Sequence, residues 1–169
     1  MSLGECAKCG SAVRIGGRGR PQQYCSSACR QAAYRDRRVP RAMSGRRWVR
    51  AVGKRPVMPD GSPASSTDSR TWSPLAAVRL GAGDGFGVML GAGLGCYDLD
   101  GVTAAEVRRF AGTVQERIVY AERSVSGRGA HLFIEAPESP GWRRYVDGVS
   151  VERYTRARFI RTTLDRIEL

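Results

Sequence analysis

The sequence predicts an α+β fold, a mostly antiparallel sheet with packed helices, preceded by a small N-terminal zinc-binding module. Three observations predict it. Four of the five cysteines fall as two close pairs, Cys6-x2-Cys9 and Cys25-x3-Cys29. Beyond Trp48, apolar runs of strand length alternate with a helical period and then recur as strands alone. Charge divides the chain at the same place: residues 1–50 carry 12 Lys/Arg against Glu5 and Asp36, while the remainder carries 16 against 14. The expected organisation is a basic zinc module over 1–38, a linker over 39–47 and a second domain over 48–169.

The module comes first. A tetrahedral thiolate zinc site needs two pairs that each grip the ion from one turn, with a short segment between them. Cys6, Cys9, Cys25 and Cys29 supply that, and the zinc they would hold is structural, because about 38 residues cannot build a sufficient core alone. Two disulfides are the competing reading, disfavoured by a chain without a secretory signal at its start. The glycine-rich RIGGRGRPQQY between the pairs suits a short hairpin. Ser26 or Ser27 can cap a helix through ACRQAAYRDRR. Arg30, Arg35, Arg37 and Arg38 stud that helix and are the candidates for gripping nucleic-acid phosphates. An acidic protein or membrane surface would leave the same charge footprint. Of the 28 basic residues 26 are arginine, a bias that a GC-rich genome also produces.

In the second domain, WVRAV is a candidate first strand, followed by a loop containing Lys54-Arg55-Pro56. The polar DGSPASSTDSR reads as an exposed loop. Thr71 can cap a helix from about Trp72 to Leu80, with Pro74 in its first turn. Phe86–Leu90 and Leu94–Leu99 are strands joined by Gly91-Ala92-Gly93. Thr103 opens a helix with Ala104, Val107, Ala111 and Val114 at helical spacing. Ile118–Ala121 and Ala130–Glu135 are further strands. Val149–Tyr154 and Arg158–Thr162 suggest a final strand pair around Thr155-Arg156. Cys96, in an apolar run, reads as a buried small hydrophobe.

Three features can carry chemistry. Asp98-Leu99-Asp100 ends a strand, and period-two alternation puts both carboxylates on one face, close enough to converge on metals. A solvated strand end would look the same. Ser124-Val125-Ser126-Gly127-Arg128-Gly129-Ala130-His131 offers backbone access, hydroxyls and a guanidinium fork, and ends in the chain's single histidine. Glu152, in VSVERY, alternates onto the face shared with Ser150 and Tyr154.

Taken in order, the strand ending Asp-x-Asp, then Ser-x-Ser-Gly-Arg-Gly-x-His, then apolar-Glu-x-Tyr and Arg-Phe-Ile-x-Thr resemble the primase-polymerase branch of the archaeo-eukaryotic primase superfamily. Lys54-Arg55-Pro56 and Thr71-Trp72-Ser73 resemble the upstream segments of its phage and plasmid members. The resemblance covers about residues 48–163. It implies an RRM-like catalytic core, with Asp98, Asp100 and Glu152 as catalytic metal-binding acids. His131, Ser126 and Arg128 would meet the phosphates of a nucleoside triphosphate. Mg²⁺ or Mn²⁺ suits such an all-oxygen set. The implied activity is a DNA primase/polymerase that starts or extends a strand on single-stranded DNA template. No GxxxxGK[ST] occurs, so a separate replicative helicase is the expected partner. A non-catalytic DNA-binding protein on the same fold and a metal-dependent nuclease are the alternatives.

Hydrophobic residues make up 41% and charged ones 26%, which excludes a wholly disordered chain. The 13 uncharged residues from Gly85 to Tyr97 fall short of the roughly 20 needed to span a bilayer. A soluble, cytoplasmic protein (in the host cytoplasm if phage-encoded) without membrane partners is expected.

Overall fold

The computed structural model describes residues 2–7, 9–15, 21–36 and 39–169, and the chain divides into two compact units, Met1–Val39 and Pro40–Leu169. In the first unit, β1 (Ser2–Glu5) and β2 (Ala12–Ile15) pair antiparallel from Ser2↔Ile15 to Glu5↔Ala12. Their turn carries Cys6 and Cys9 and closes by Gly10 N–H donating to the Cys6 carbonyl at 2.9 Å. The observed hairpin therefore wraps the first cysteine pair. Of the segment where a hairpin was expected, residues 16–20 lie outside the described residues and Pro21–Tyr24 form no regular element. Helix α1 (Ser27–Asp36) is capped by Ser26, whose Oγ accepts from Cys29 N at 3.1 Å. Among the described residues of this unit, Cys6 and Val13 are the buried hydrophobics.

The second unit contains two antiparallel sheets. One is built on β3 (Arg46–Val52), flanked on one side by β4 (Arg55–Val57) and β5 (Ser73–Pro74). A single helical turn, α2 (Leu75–Val78), follows β5, and β6 (Gly85–Met89) pairs on the other side of β3. The second sheet contains β7 (Leu94–Asp100), β8 (Arg117–Arg123), β9 (Ala130–Glu135), β10 (Trp142–Val146) and β11 (Val149–Tyr154), in the order β10-β11-β7-β9-β8. Helix α3 (Ala104–Ala111) connects β7 to β8, and β12 (Phe159–Thr162) returns to pair with β6. Because β7 and β8 both run antiparallel to β9, they are parallel to each other, a split βαβ unit. The fold is thus mixed helix and sheet, mostly antiparallel, with few helices.

The local signals for α3 hold in detail. Thr103 Oγ1 accepts from Glu106 N, and Glu106 Oε2 accepts from Thr103 N at 2.7 Å, forming a capping box. Val107 and Phe110 pack on the sheet face formed by Leu99, Leu132, Ile134 and Val151, all buried. Ala104 is exposed, and Phe110 takes the buried place instead.

Several expectations are corrected. The stretch 39–47 is no free linker: Met43 is fully buried, Trp48 Nε1 donates to its carbonyl at 2.9 Å, and β3 starts at Arg46. Arg55-Pro56 belongs to β4 rather than a loop, joined to β3 by the turn at Gly53-Lys54. The helix expected over 72–80 shrinks to α2, because Ser73 pairs with Trp48 and a residue preceding proline favours extended backbone. The strands on either side of Gly91-Ala92-Gly93 lie in different sheets, as do β11 and β12. That glycine-rich link is a corner, with positive φ at Gly91 (128°) and Gly93 (87°), where glycine is favoured, and at Ala92 (49°), an alanine in the left-handed region. β10 was not expected. Among the described residues, no helix is long and apolar enough to cross a membrane.

Candidate metal centre and active site

The cysteine quartet is positioned to bind a metal. Its four ligand atoms all lie within 4.8 Å of one another. Sγ separations are 3.5 Å for Cys25–Cys29, 3.6 Å for Cys9–Cys25 and 3.7 Å for Cys29–Cys9. Four sulfurs about 2.3 Å from one zinc ion stand about 3.8 Å apart at tetrahedral angles, so the quartet fits zinc. The cysteines form no disulfide. Hydrogen bonding to Ser11 holds Cys9 below the ordinary thiol value, but without a cation the Cys25 thiol resists ionisation, pushed up to about 12 by its hydrogen bonds with Cys29 and then Cys9. A coordinated ion reverses this, since a ligating thiol is deprotonated. Of the arginines assigned to nucleic acid, Arg30 is exposed in α1. Arg37 and Arg38 lie outside the described residues, and for Arg35 only the backbone is described.

In the second unit the register of the larger sheet assembles the acids. Glu152 pairs with Asp98, Asp98 with His131, and His131 with Glu122. Directly opposed residues share a face, so β11, β7, β9 and β8 carry one polar row across the sheet. Leu99 and Val151, one residue along, point into the α3 core. Asp100 starts a second row, opposite Ser150.

Within the polar row, His131 Nε2 stands 3.6 Å from Asp98 Oδ1 and Nδ1 is 3.0 Å from Glu122 Oε1. Glu122 is fully buried, and its carboxylate also accepts from Thr163 N at 3.3 Å and Leu164 N at 2.9 Å. Burial pulls the His131 imidazolium down, but the Glu122 hydrogen bond and the charges of Asp98, Glu122 and Asp100 outweigh it and hold its pKa above ordinary histidine. Burial pushes the Asp98 carboxyl up; Asp100 and Glu152 add to this, while His131 and Arg158 pull against it. Glu152 accepts from the Tyr154 hydroxyl at 2.7 Å and faces Arg143 at 3.5 Å and Arg158 at 3.8 Å. Arg158 also lies 4.2 Å over the Tyr154 ring.

Asp98 and His131 of the row open on a cleft of about 860 Å³, also lined by Asp100, by Arg128 of the loop after β8, by Lys54 of the β3–β4 turn and by Arg158 just before β12. The loop 124–129 is held tightly. Ser124 N donates to the Gly129 carbonyl at 2.9 Å, and Ser126 Oγ accepts from Arg128 N at 3.3 Å. A Cβ at Gly129 would lie 2.5 Å from the Leu99 carbonyl oxygen, so the loop's approach to β7 requires glycine there. Ser126 thus shapes the loop, leaving the Arg128 side chain on the cleft wall.

The all-oxygen set of Asp98, Asp100 and Glu152 suits Mg²⁺ or Mn²⁺ in chemistry. Among the described residues, only the cysteine quartet has its ligand atoms gathered at metal-holding separation; the three acids share a face, with Asp98 turned to His131 and Glu152 to Tyr154, Arg143 and Arg158. Sequence reasoning missed Glu122, Arg143 and Arg158. The one available signal was a glutamate inside the apolar IVYAER strand. Buried Cys96 has its thiol pushed well up by burial, which fits a packing role.

No family model matches the chain, and no curated protein matches it.

Proposed function

We propose that the second unit is a nucleotidyltransferase of primase-polymerase type, extending or starting a strand on single-stranded DNA. The observation that carries this reading is the Glu152–Asp98–His131 row, in direct register on three adjacent strands, whose Asp98 and His131 line a cleft with Asp100, Arg128, Lys54 and Arg158. Asp98, Asp100 and Glu152 would hold Mg²⁺ or Mn²⁺, which lower the pKa of a 3′-hydroxyl and neutralise a triphosphate. A buried carboxyl crowded by two others, such as Asp98, gains from an arriving cation. The hydroxyl gives up its proton to solvent water, its oxygen forms a bond to the α-phosphorus, the bond from that phosphorus to the α–β bridging oxygen breaks, and pyrophosphate leaves with the electron pair. Arg128 and protonated His131 receive phosphate oxygens of the nucleotide, and Glu122 holds the imidazole in place. The cysteine quartet holds structural zinc, and its basic module adds affinity for template, with a separate helicase as a further partner.

A second reading, a non-catalytic DNA-binding protein, is favoured by one observation: Glu152 is already engaged by Tyr154, Arg143 and Arg158. Incubation with primed and unprimed single-stranded DNA, labelled nucleotides and Mn²⁺ tests both. Nucleotide incorporation supports the first reading. Binding alone supports the second, and degradation of the strand a nuclease.

A further inference from the structure

We propose that β10, the outer strand of the acid-bearing sheet, is a platform for single-stranded DNA, on which Tyr145 stacks a base and Arg143 takes a backbone phosphate. The register places both residues on the acid face. Tyr145 pairs with Ser150, which pairs with Asp100; Arg143 pairs with Glu152, which pairs with Asp98. Two strand spacings of about 4.8 Å put Tyr145 about 10 Å from Asp100, the length of about three stacked nucleotides.

Tyr145 is 79% exposed, among the most exposed large side chains described. Arginines alone suffice to blunt a sheet edge against unwanted pairing, and Arg143 and Arg144 already do so. An aromatic ring added to them serves another end. Rings flanked by cations are what unpaired bases and their phosphates bind, since every base has a face to stack. The strand is also held from beneath. Trp142, on the opposite face, packs edge-on against Tyr97 at 5.9 Å, and Arg144 lies 4.8 Å over the Trp142 ring. The hairpin turn is a tight two-residue one with positive φ at Asp147 (47°) and Gly148 (81°). Charge complementarity favours a polyanion, because Arg143 lies beside Tyr145 on the way to the acids, 3.5 Å from both Ser150 Oγ and Glu152 Oε1, and Arg158 adds a second cation on the far side of Glu152. This placement rests on the proposed function for the position of the strand's reacting end, but strand binding can be read separately from synthesis.

The test uses the full chain with its zinc and without added Mg²⁺ or Mn²⁺, with labelled oligo-dT and an abasic oligomer of equal length, measured by anisotropy at several salt concentrations. Tyr145→Ala should weaken oligo-dT binding about fivefold or more and leave abasic binding unchanged, whereas Tyr145→Phe should bind as wild type. Arg143→Gln should reduce the salt slope by about 0.7. Tyr145 is exposed, so its removal leaves the fold intact, which thermal unfolding verifies. Wild-type affinity in Tyr145→Ala, or equal loss on both oligomers, overturns the proposal. A changed oligomeric state with unchanged DNA binding also overturns it and makes β10 a contact between copies. If wild type incorporates no nucleotide but binding still depends on Tyr145, the enzymatic reading fails and the platform stands. Incorporation without that dependence gives the reverse.

Discussion

The cysteine quartet and the polar row are both candidate cation sites, held together by opposite means. In the first unit, the described buried hydrophobics are Cys6 and Val13, and the four sulfurs lie within 4.8 Å of one another. In the second, the acids stand on a five-stranded sheet with fully buried Leu99, Leu132 and Val151 beneath them. Their charges are met by histidine, tyrosine and arginine. Where so few apolar side chains are buried, the metal must supply the fold. Where the sheet supplies the fold, a metal can come and go.

Removing metal from the quartet tests the first half and should have the largest effect. Structural zinc contributes about 10–16 kcal/mol of apparent binding free energy in small modules. Chelation should unfold residues 1–39 and leave 40–169 intact. Limited proteolysis with circular dichroism reads this, and a first unit that stays protected after zinc release would break the comparison.

Next comes the ion pair that lets the sheet stand without metal. Glu122→Ala leaves buried His131 without its acceptor and frees the Thr163 and Leu164 amides, contacts seen at 3.0, 3.3 and 2.9 Å. Removing one partner of a buried pair costs about 3–5 kcal/mol. Denaturant unfolding should show a loss of that size, with Glu122→Gln losing less because its shape and one acceptor oxygen remain. A neutral Glu122→Ala would mean that the row is held by something else.

The acids themselves should matter for chemistry and not for stability. Even outer partners of a metal site cost 10–100-fold when lost. Asp98→Asn and Asp100→Asn should therefore lower nucleotide incorporation by at least about a hundredfold. The melting temperature should hold or rise, since burial and like charges already penalise the Asp98 carboxylate. Incorporation by the double variant at the wild-type rate would remove the acids from the mechanism.

What was legible in the chain follows the same division between local and long-range causes. The bounds of β9 and β11 and the start of α3 at Thr103 are written in alternation and spacing, and they appear where those patterns put them. Pairing is not written there. Phe86–Met89 and Leu94–Asp100 are neighbours in sequence yet lie in separate sheets, because the corner at Gly91–Gly93 turns the chain away. β10 had a local signal in Asp147-Gly148, a dipeptide favoured in tight hairpins, which its charged strand WRRYV concealed. Asp98, His131 and Glu152 could be chosen one by one, but their shared row depends on register. Glu122 was missed for that reason: its partner is nine residues away across a hairpin, and a β-bulge between Ile118 and Tyr120 sets which residues face each other.

The smallest effect concerns proton binding by the row. The His131 pKa is raised in the folded protein, because the Glu122 bond and the charges of Asp98 and Asp100 outweigh the cost of burial. In the unfolded chain it returns to about 6.5. Below that value both states carry the proton and the stabilisation is fully present. As pH rises through the folded pKa the proton leaves and the stabilisation is lost. Asp98 works in the same direction but lower on the scale, its effect starting near the ordinary carboxylate range. Tyr97, Tyr154 and Cys96 are pushed further up from already alkaline values, so they stay protonated over this interval. In zinc-loaded full-length protein without added Mg²⁺ or Mn²⁺, the melting temperature of the second unit should therefore fall by a few degrees between about pH 6.5 and 9. His131→Gln should flatten that slope, whereas the unfolding of the first unit should be unaffected by the substitution. A slope that persists unchanged in His131→Gln would show that another group binds the proton, and the row would then be held by hydrogen bonds without the histidine's charge.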